Sequence, residues 1–311
     1  MADDRGQKQV QVEEQGSFPG LGQKGQRARI TLQASRSWAG SRLDTFLAQE
    51  AGLGGLRLVR GKWRQLVVQV NGLPGTKGHR LQTGDRISYL PWPASEQALQ
   101  CSKELREKVQ IVCKGQEYLA LYKPAGVHSS SPGLRGGPGL EDILGDILPG
   151  KRPLLLNRLD RDTSGLILMA ASNRDQERYQ RLQDQGRVQK SYLALAQGRI
   201  AEELCLDQAL DTARRRKVRI LEGQKAEPLR RTHVWPLAFL PGAGLSLVRV
   251  RILKGARHQI RAHLAHAGHP VYGEQLYAAT ASGSRLFLHH YRITMPGFQA
   301  SCLPDWKLGA G

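Results

Sequence analysis

The chain has 311 residues, enough for one large domain and a small one, and 40% of them are hydrophobic, so a sizeable core can form. Its 46 Lys+Arg against 27 Asp+Glu give a net charge of +19, which points to a polyanionic partner, nucleic acid first and an anionic membrane surface second. No apolar run approaches a membrane span, the N-terminus lacks the apolar core of a signal peptide, and the scattered Cys101, Cys113, Cys205 and Cys302 form no CxxC pair, so a reduced, cytoplasmic setting is expected and metal-ligand spacing is absent.

In chain order, residues 1–26 are polar and read as a disordered tail. A small domain is expected over 27–90. "RARITLQAS" alternates like a strand, and "SRLDTFLAQEAGL" reads as a helix capped by Ser41 and ended by Gly52, with Leu43, Phe46 and Leu47 on one face. A basic stretch with Arg57, Arg60, Lys62 and Arg64 follows, then the strand "VVQVNG" with a turn at Asn71-Gly72, then the strand "DRISYL". Residues 91–108 read as a linker, and a larger domain as 109–311. There "VQIVCKGQEYLALYKPAG" predicts two strands turning at Lys114-Gly115, and "GLILMA", "SYLALAQG", "THVWPLAF" and "LSLVRVRI" predict further strands. "LEDILGDIL", "RDQERYQRLQDQ" and "ARHQIRAHLAHAG" predict helices. Strands outnumber helices, so the fold class is α+β with a mostly antiparallel, mixed sheet in the larger domain and a small α/β domain before it.

Three segments could carry chemistry. In "NRLDRDTSGLILMA" four charges, Arg158, Asp160, Arg161 and Asp162, border an apolar strand, where unpaired charge is costly. Asp162-Thr163-Ser164-Gly165 is turn chemistry, so one carboxylate is expected to bind its own backbone while Asp160 is free to act; the alternative has both carboxylates capping turns and both arginines solvated. "KGARHQIRAHLAHAGHPVYGEQLY" brings His258, His263, His266 and His269 together with Arg257 and Arg261. Helical spacing puts His258, Arg261 and Ala265 on one face and His263 with His266 on another. No H-E-x-x-H spacing supports a zinc site. In "QKSYLALAQG", Lys190 and Tyr192 share one face of a strand.

Residues 41–90 resemble an S4 RNA-binding domain, on Arg42-Leu43-Asp44-Thr45-Phe46-Leu47, Val68-Gln69-Val70-Asn71-Gly72 and Gly84-Asp85-Arg86-Ile87. The middle helix of that family is Ser- and Arg-rich; here it carries four glycines but keeps Arg57, Arg60, Lys62 and Arg64, which the resemblance implies face RNA. Residues 109–296 resemble the RluA-type pseudouridine synthases through five ordered segments. "YLALYKPAGV" resembles the family's opening N-K-P strand, "NRLDRDTSGLILMA" the segment with the catalytic aspartate, and "KSYLALAQG" the K-x-Y strand. "GARHQIRAHLAHAGHPVYGEQLYA" resembles the H-Q-I-R segment and "RLFLHHYRITMP" the closing strand.

The resemblance implies a reaction in which uracil leaves its ribose, rotates and rejoins through C5. That involves no net oxidation and therefore no redox cofactor. It implies Asp160 as the catalytic carboxylate, attacking C1′ or removing a sugar proton, with Arg261 as its ion-pair partner and Tyr192 against the target base. Arg158 is implied to fill the space left by the flipped base. Lys123 and Lys190 are candidates either for phosphate contact or for internal pairing. Five positions depart from the family pattern: Asn157 for His, Tyr122 for Asn, Ala256-Arg257 for Arg-Ser/Thr, and Glu274 for Asp. The expected substrate is structured ribosomal RNA, then transfer RNA, with no membrane and no obligate protein partner. A non-catalytic RNA-binding or ribosome-assembly protein is the alternative; a nucleoside or sugar hydrolase accounts for Asp160 but not for the charge.

Overall fold

The computed structural model describes residues 11–13, 29–51, 53, 59–60, 63, 66–90, 104–130, 139–147, 154–213, 217–278, 283 and 285–306. Most of the expected tail and most of the expected linker lie outside these residues, as do Arg57, Lys62, Arg64 and Gly52. Within the tail, however, Gln11–Glu13 is not disordered: it forms a short strand paired antiparallel with Arg29–Thr31, whose backbone groups it satisfies. The chain forms two compact units, Met1–Leu105 with Ser130–Ile147, and Arg106–Ser129 with Leu148–Gly311.

In the first unit, β1 (Gln11–Glu13), β2 (Arg29–Gln33), β3 (Val67–Val70), β4 (Leu73–Pro74) and β5 (Arg86–Leu90) form a sheet in the order β1-β2-β5-β3-β4. Alternation does what it predicts: Val68, Val70, Ile87 and Tyr89 point into one core. Helix α1 (Leu43–Gln49) supplies Leu43, Phe46 and Leu47 to the same core, where Phe46 meets Trp38 edge to face. Ser41 does not cap this helix; Arg42 is the N-cap and makes no side-chain cap bond. Instead the fully buried Asp44, in the first turn, accepts from Arg42 Nε (3.1 Å) and Nη2 (3.0 Å) and from Arg60 Nε (2.7 Å). Burial raises the Asp44 carboxyl, but the two arginines outweigh it and bring it down to about 2. The helix predicted at "LEDILGDIL" is α2 (Leu140–Ile147), with Leu140, Ile143 and Leu144 buried.

In the second unit, β6 (Gln110–Lys114), β7 (Tyr118–Lys123), β8 (Leu154–Leu155), β9 (Ser164–Ala170), β10 (Gln189–Gln197), β11 (Leu204–Leu206), β14 (Thr232–Leu240), β15 (Leu245–Ile252), β16 (Leu288–Met295) and β17 (Phe298–Ser301) share one sheet. Its main path is β11-β14-β15-β10-β16-β9-β7-β6, with β17 on β16 and β8 on β9. Among the described residues every strand pairing in it is antiparallel except β16 with β9, so the sheet is mixed, as expected. β12 (Gln208–Asp211) and β13 (Arg219–Lys225) form a separate two-stranded hairpin. All seven residues of β9 are buried, which is why its sequence is a continuous apolar run rather than an alternation. Helix α3 (Asn173–Asp184) begins at Ser172, whose Oγ accepts from Asp175 N (3.2 Å), and buries Tyr179 and Leu182. Helix α4 (Gln259–His266) buries its Ile260, Arg261, Ala262, His263 and Leu264.

The start of β9 depends on one glycine. Gly165 has φ +114°, and it pairs in parallel register with His290. A Cβ there would run into the His290 carbonyl oxygen and lie 2.7 Å from the His290 nitrogen, both of them rigid backbone atoms. Gly165→Ala should therefore cost at least about 3 kcal/mol and displace the loop that precedes β9. An unchanged thermal midpoint for this variant would show that the two strands do not approach so closely.

Candidate active site

The loop between β8 and β9 carries Arg158, Asp160, Arg161 and Asp162, and the surrounding backbone holds it at several points. Asn157 Oδ1 accepts from Leu168 N (2.7 Å) and its Nδ2 donates to Leu166 O (3.3 Å), so this departure from the family's histidine ties the loop to β9. Ser129 Oγ accepts from Leu159 N (2.9 Å) and donates to Leu159 O (2.8 Å). Thr163 N donates to Asp160 O (3.2 Å), closing a turn. The turn thus uses the carbonyl of Asp160. The carboxylate of Asp162, expected to bind its own backbone, is exposed and makes no hydrogen bond among the described residues.

Lys123 completes the clamp. It is fully buried, and its Nζ donates to Pro124 O (2.9 Å), Val127 O (2.8 Å) and Arg161 O (3.1 Å). Three carbonyls match the three donors of an ammonium. Burial pushes this amine down to about 7, against the pull of Asp162 and Asp160. Lys190 is likewise inside: 4% exposed, it donates to Gln183 Oε1 (2.5 Å) and Leu253 O (3.2 Å), and burial lowers it to about 8. Neither ammonium is open to a phosphate, so for both lysines the phosphate-contact reading gives way to the internal one. Strand alternation placed Lys190 on the Tyr192 face, but alternation alone does not say that this face is closed. Arg158, by contrast, is exposed.

The Asp160 carboxylate is 21% exposed, and Arg261 Nη1 donates to its Oδ2 at 3.1 Å. Arg261 comes from α4, about a hundred residues downstream. It is 6% exposed and faces a second carboxylate: Nε and Nη2 donate to Glu274 Oε2 (2.6 Å) and Oε1 (2.8 Å). Glu274 is fully buried and also accepts from Leu276 N (2.7 Å). Burial raises its carboxyl, but the Arg261 guanidinium and the backbone N–H groups of Leu276 and Tyr277 bring it below the usual range. Burial opposes charge on Arg261 too, and Glu274 first, then Asp160, hold it firmly protonated. Glutamate in place of the family's aspartate therefore makes a two-bond fork with the guanidinium.

His258 was expected on a helical face with Arg261. It is instead the N-cap of α4, in the left-handed conformation with φ 53°, and makes no cap bond with its side chain. Gln259 pins this corner: its Oε1 accepts from Ala256 N (2.9 Å), and its Nε2 donates to Arg230 O (2.7 Å) and Thr232 Oγ1 (3.0 Å). The corner turns the His258 ring toward the nearby loop, with Nε2 3.8 Å from Asp160 Oδ1 and Nδ1 2.8 Å from the Tyr277 hydroxyl. His263 bonds Thr232 Oγ1 (2.8 Å) and Gln208 O (3.0 Å), a structural role.

Tyr192 projects from β10 into the interior, 6% exposed, and stacks on His290 at 4.6 Å and 20°. Its hydroxyl makes no hydrogen bond among the described residues. Burial, then Tyr179 and Asp160, push the phenol well above its ordinary range. His290 Nδ1 lies 2.7 Å from Leu166 O, and burial lowers this imidazole to about 3, so it is a neutral donor beneath the tyrosine. The structure thus assembles Asp160, Arg261 and Tyr192 from three distant segments. It adds His258, Glu274 and Tyr277, which stand within a sequence motif that assigns them no role.

Comparison with known proteins bears on what this arrangement does. The family profile described as RNA pseudouridylate synthase matches residues 117–266. Ribosomal large subunit pseudouridine synthase C of Escherichia coli (strain K12) is 30% identical over 287 residues, covering 83% of this chain and 86% of that one. An uncharacterized RNA pseudouridine synthase of Helicobacter pylori (strain J99 / ATCC 700824) is 31% identical over 195 residues, covering 62% of this chain and 74% of that one. Among solved structures, human RNA pseudouridylate synthase domain containing 1 superposes with a TM-score of 0.52 at 26% identity, covering 63% of this chain and 83% of that one. A relative aligned over most of both chains, joined to a mixed sheet of the same kind, makes this chain a member of the RluA-type pseudouridine synthases, isomerases of uridine in RNA.

Proposed function

We propose that this enzyme modifies ribosomal RNA in the cytoplasm, with Asp160 as its catalytic carboxylate. The observation that carries the reading is the Asp160 carboxylate itself: partly open to solvent, fixed in a clamped loop, and held by Arg261 at 3.1 Å. A carboxylate in that state can be delivered to a ribose at the glycosidic carbon, as in glycoside cleavage. Arg261 fixes one of its oxygens, and Glu274 fixes Arg261. Tyr192 is the platform for the extruded base. A phenol that burial keeps protonated serves as an apolar surface and a hydrogen-bond donor rather than as a resting base. Arg158, exposed two residues before Asp160, takes the space left in the stack, where a planar guanidinium substitutes for a base. Extrusion from a helix costs a few kcal/mol, which that substitution offsets.

Ribosomal RNA is supported by the aligned Escherichia coli protein, whose name gives the large ribosomal subunit, and by the net charge of +19. The first unit supplies a second foothold on RNA as an S4-like domain. Arg60 contributes there with a side chain 45% exposed, even while it pairs with Asp44. Among the described residues no helix is long and apolar enough to cross a membrane. The reading is checked by incubating the chain with unmodified large-subunit ribosomal RNA and with transfer RNA transcripts, then mapping pseudouridine chemically. Product in the ribosomal RNA is expected. Product confined to transfer RNA would overturn the substrate, and binding without product in either would overturn the catalytic reading.

A further inference from the structure

Beside the site lies a cleft of about 680 Å³ between the start of β13 and the outer face of α4, with Lys217, Arg219, Ala262, Ala265, His266 and Tyr277 on its walls. Lys217, Arg219 and His266 are exposed, and no carboxylate lines it among the described residues. Its size is that of a small-ligand site. One wall is an aromatic ring: Lys217 Nζ stands 5.4 Å from the Tyr277 ring centroid. Two basic side chains around an aromatic face, with no competing acid, match a phosphodiester and its adjoining nucleoside.

Tyr277 also belongs to the neighbourhood of Asp160. Val218 N donates to its hydroxyl oxygen at 2.9 Å, and the hydroxyl lies 2.8 Å from His258 Nδ1. Electrostatics selects the proton positions. The tautomer with its proton on Nδ1 would turn the Nε2 lone pair toward Asp160 Oδ1, 3.8 Å away. With the Tyr277 O–H donating a hydrogen bond to an unprotonated Nδ1, the imidazole proton sits on Nε2 and faces that oxygen. Burial, Arg261 and Arg257 lower the His258 imidazole, outweighing Asp160 and Glu274, which favours this neutral form. Each oxygen of Asp160 then faces a donor, Arg261 on Oδ2 and His258 on Oδ1.

We propose that this cleft seats a nucleotide flanking the target uridine, with its phosphate on Lys217 and Arg219 and its nucleoside against Tyr277, and that the Tyr277 hydroxyl orients His258 as a positioning residue for Asp160. The inference rests on the reading of the chain as an RNA-modifying enzyme centred on Asp160. It makes Tyr277 a hinge between two separable effects, affinity through the cleft and rate through the hydroxyl.

The experiment uses the full chain and an in-vitro large-subunit ribosomal RNA transcript on which the wild type has been shown to form pseudouridine. Failure here therefore leaves the proposed function standing. Lys217→Ala/Arg219→Ala alters two exposed side chains, so folding is kept, as a thermal melt verifies. Its dissociation constant should rise about tenfold, and the slope of log affinity against log salt should fall by about 0.7–0.9 for each phosphate no longer neutralised. Tyr277→Phe keeps the ring and removes the hydroxyl. Its single-turnover rate at saturating RNA should fall about tenfold, the equivalent of one lost hydrogen bond, with affinity within about twofold. In a His258→Gln background Tyr277→Phe should add little, because the two act on one oxygen. Wild-type affinity and salt slope in the double variant overturn the cleft as an RNA seat. A Tyr277→Phe loss that appears in affinity, or that is undiminished without His258, overturns the link to Asp160.

Discussion

Asp160→Asn should abolish pseudouridine formation, by about a thousandfold or more, while RNA binding is kept. The substitution preserves size and leaves an amide oxygen for Arg261 Nη1, now 3.1 Å from Asp160 Oδ2. Arg261 also keeps its two bonds to Glu274, so its charge stays compensated and the fold should lose about 1 kcal/mol or less. Affinity should be unchanged or slightly tighter, because a negative charge that faces phosphates has been removed. Asp160→Glu refines the point. It keeps the charge but moves the carboxylate by about one methylene, and misplacement on the scale of 1 Å costs about a hundredfold where reacting atoms must meet. Single-turnover assays, filter binding and thermal melts on the same preparations separate these quantities. Full turnover by Asp160→Asn would remove Asp160 from the mechanism, and loss of binding together with loss of product would make the residue structural instead.

The fold was legible where one physical signal dominated. Alternation gave β5 and β10, and unbroken hydrophobicity gave β9, because those patterns follow directly from which faces are covered. It was less legible where tertiary context decides. Ser41 has the chemistry of a cap, yet the first turn of α1 is built around the buried Asp44 and two arginines drawn from either side of it. The site shows the same division. Asp160, Arg261 and Tyr192 stood in recognisable motifs, and the structure brings all three to one place. That His258 leaves the helix through a left-handed residue could not be read from helical spacing, which assumes the helix already includes it. That Glu274 rather than Asp160 is the closer partner of Arg261 depends on burial, and a sequence does not say which of two carboxylates is dry. The same limit applied to Lys123 and Lys190: a lysine beside a functional loop suggests phosphate, but the number of carbonyls waiting around its ammonium is a three-dimensional fact.

The burial of Glu274 reshapes what loss of Arg261 should do. Considered as a simple pair, Arg261→Ala strands Asp160, and Asp160→Asn should rescue it. The geometry assigns the larger penalty elsewhere. Asp160 is 21% exposed and can be answered by water, whereas Glu274 is 0% exposed and would be left inside without its counter-ion. Breaking a buried pair in this way costs about 3–5 kcal/mol. The strongest rescue of Arg261→Ala should therefore come from Glu274→Gln, which removes the stranded charge and still accepts from Leu276 N. We expect a coupling of about 2–3 kcal/mol for Arg261 with Glu274 and under about 1 kcal/mol for Arg261 with Asp160. The pH dependence should reverse as well. In the wild type the Glu274 carboxyl is held below its ordinary value of 4.5, so it contributes stability that is present above that value and lost as pH falls through the lower, folded one. In Arg261→Ala burial acts without opposition and raises the carboxyl. Its contribution is then fully present below 4.5 and lost as pH rises through the raised, folded value, so this variant should be more stable in mild acid than at neutral pH. Glu274→Gln should abolish that trend. Turnover should stay absent in Arg261→Ala/Glu274→Gln, because the partner of Asp160 Oδ2 is still missing however stable the fold becomes. Denaturant melts of the four proteins of each cycle at two pH values measure the couplings and the pH trend, and a single-turnover assay on the same proteins measures the turnover. Additive losses for Arg261 and Glu274, or an Arg261→Ala that is less stable in mild acid than at neutral pH, would show that Glu274 is not the group that Arg261 keeps charged.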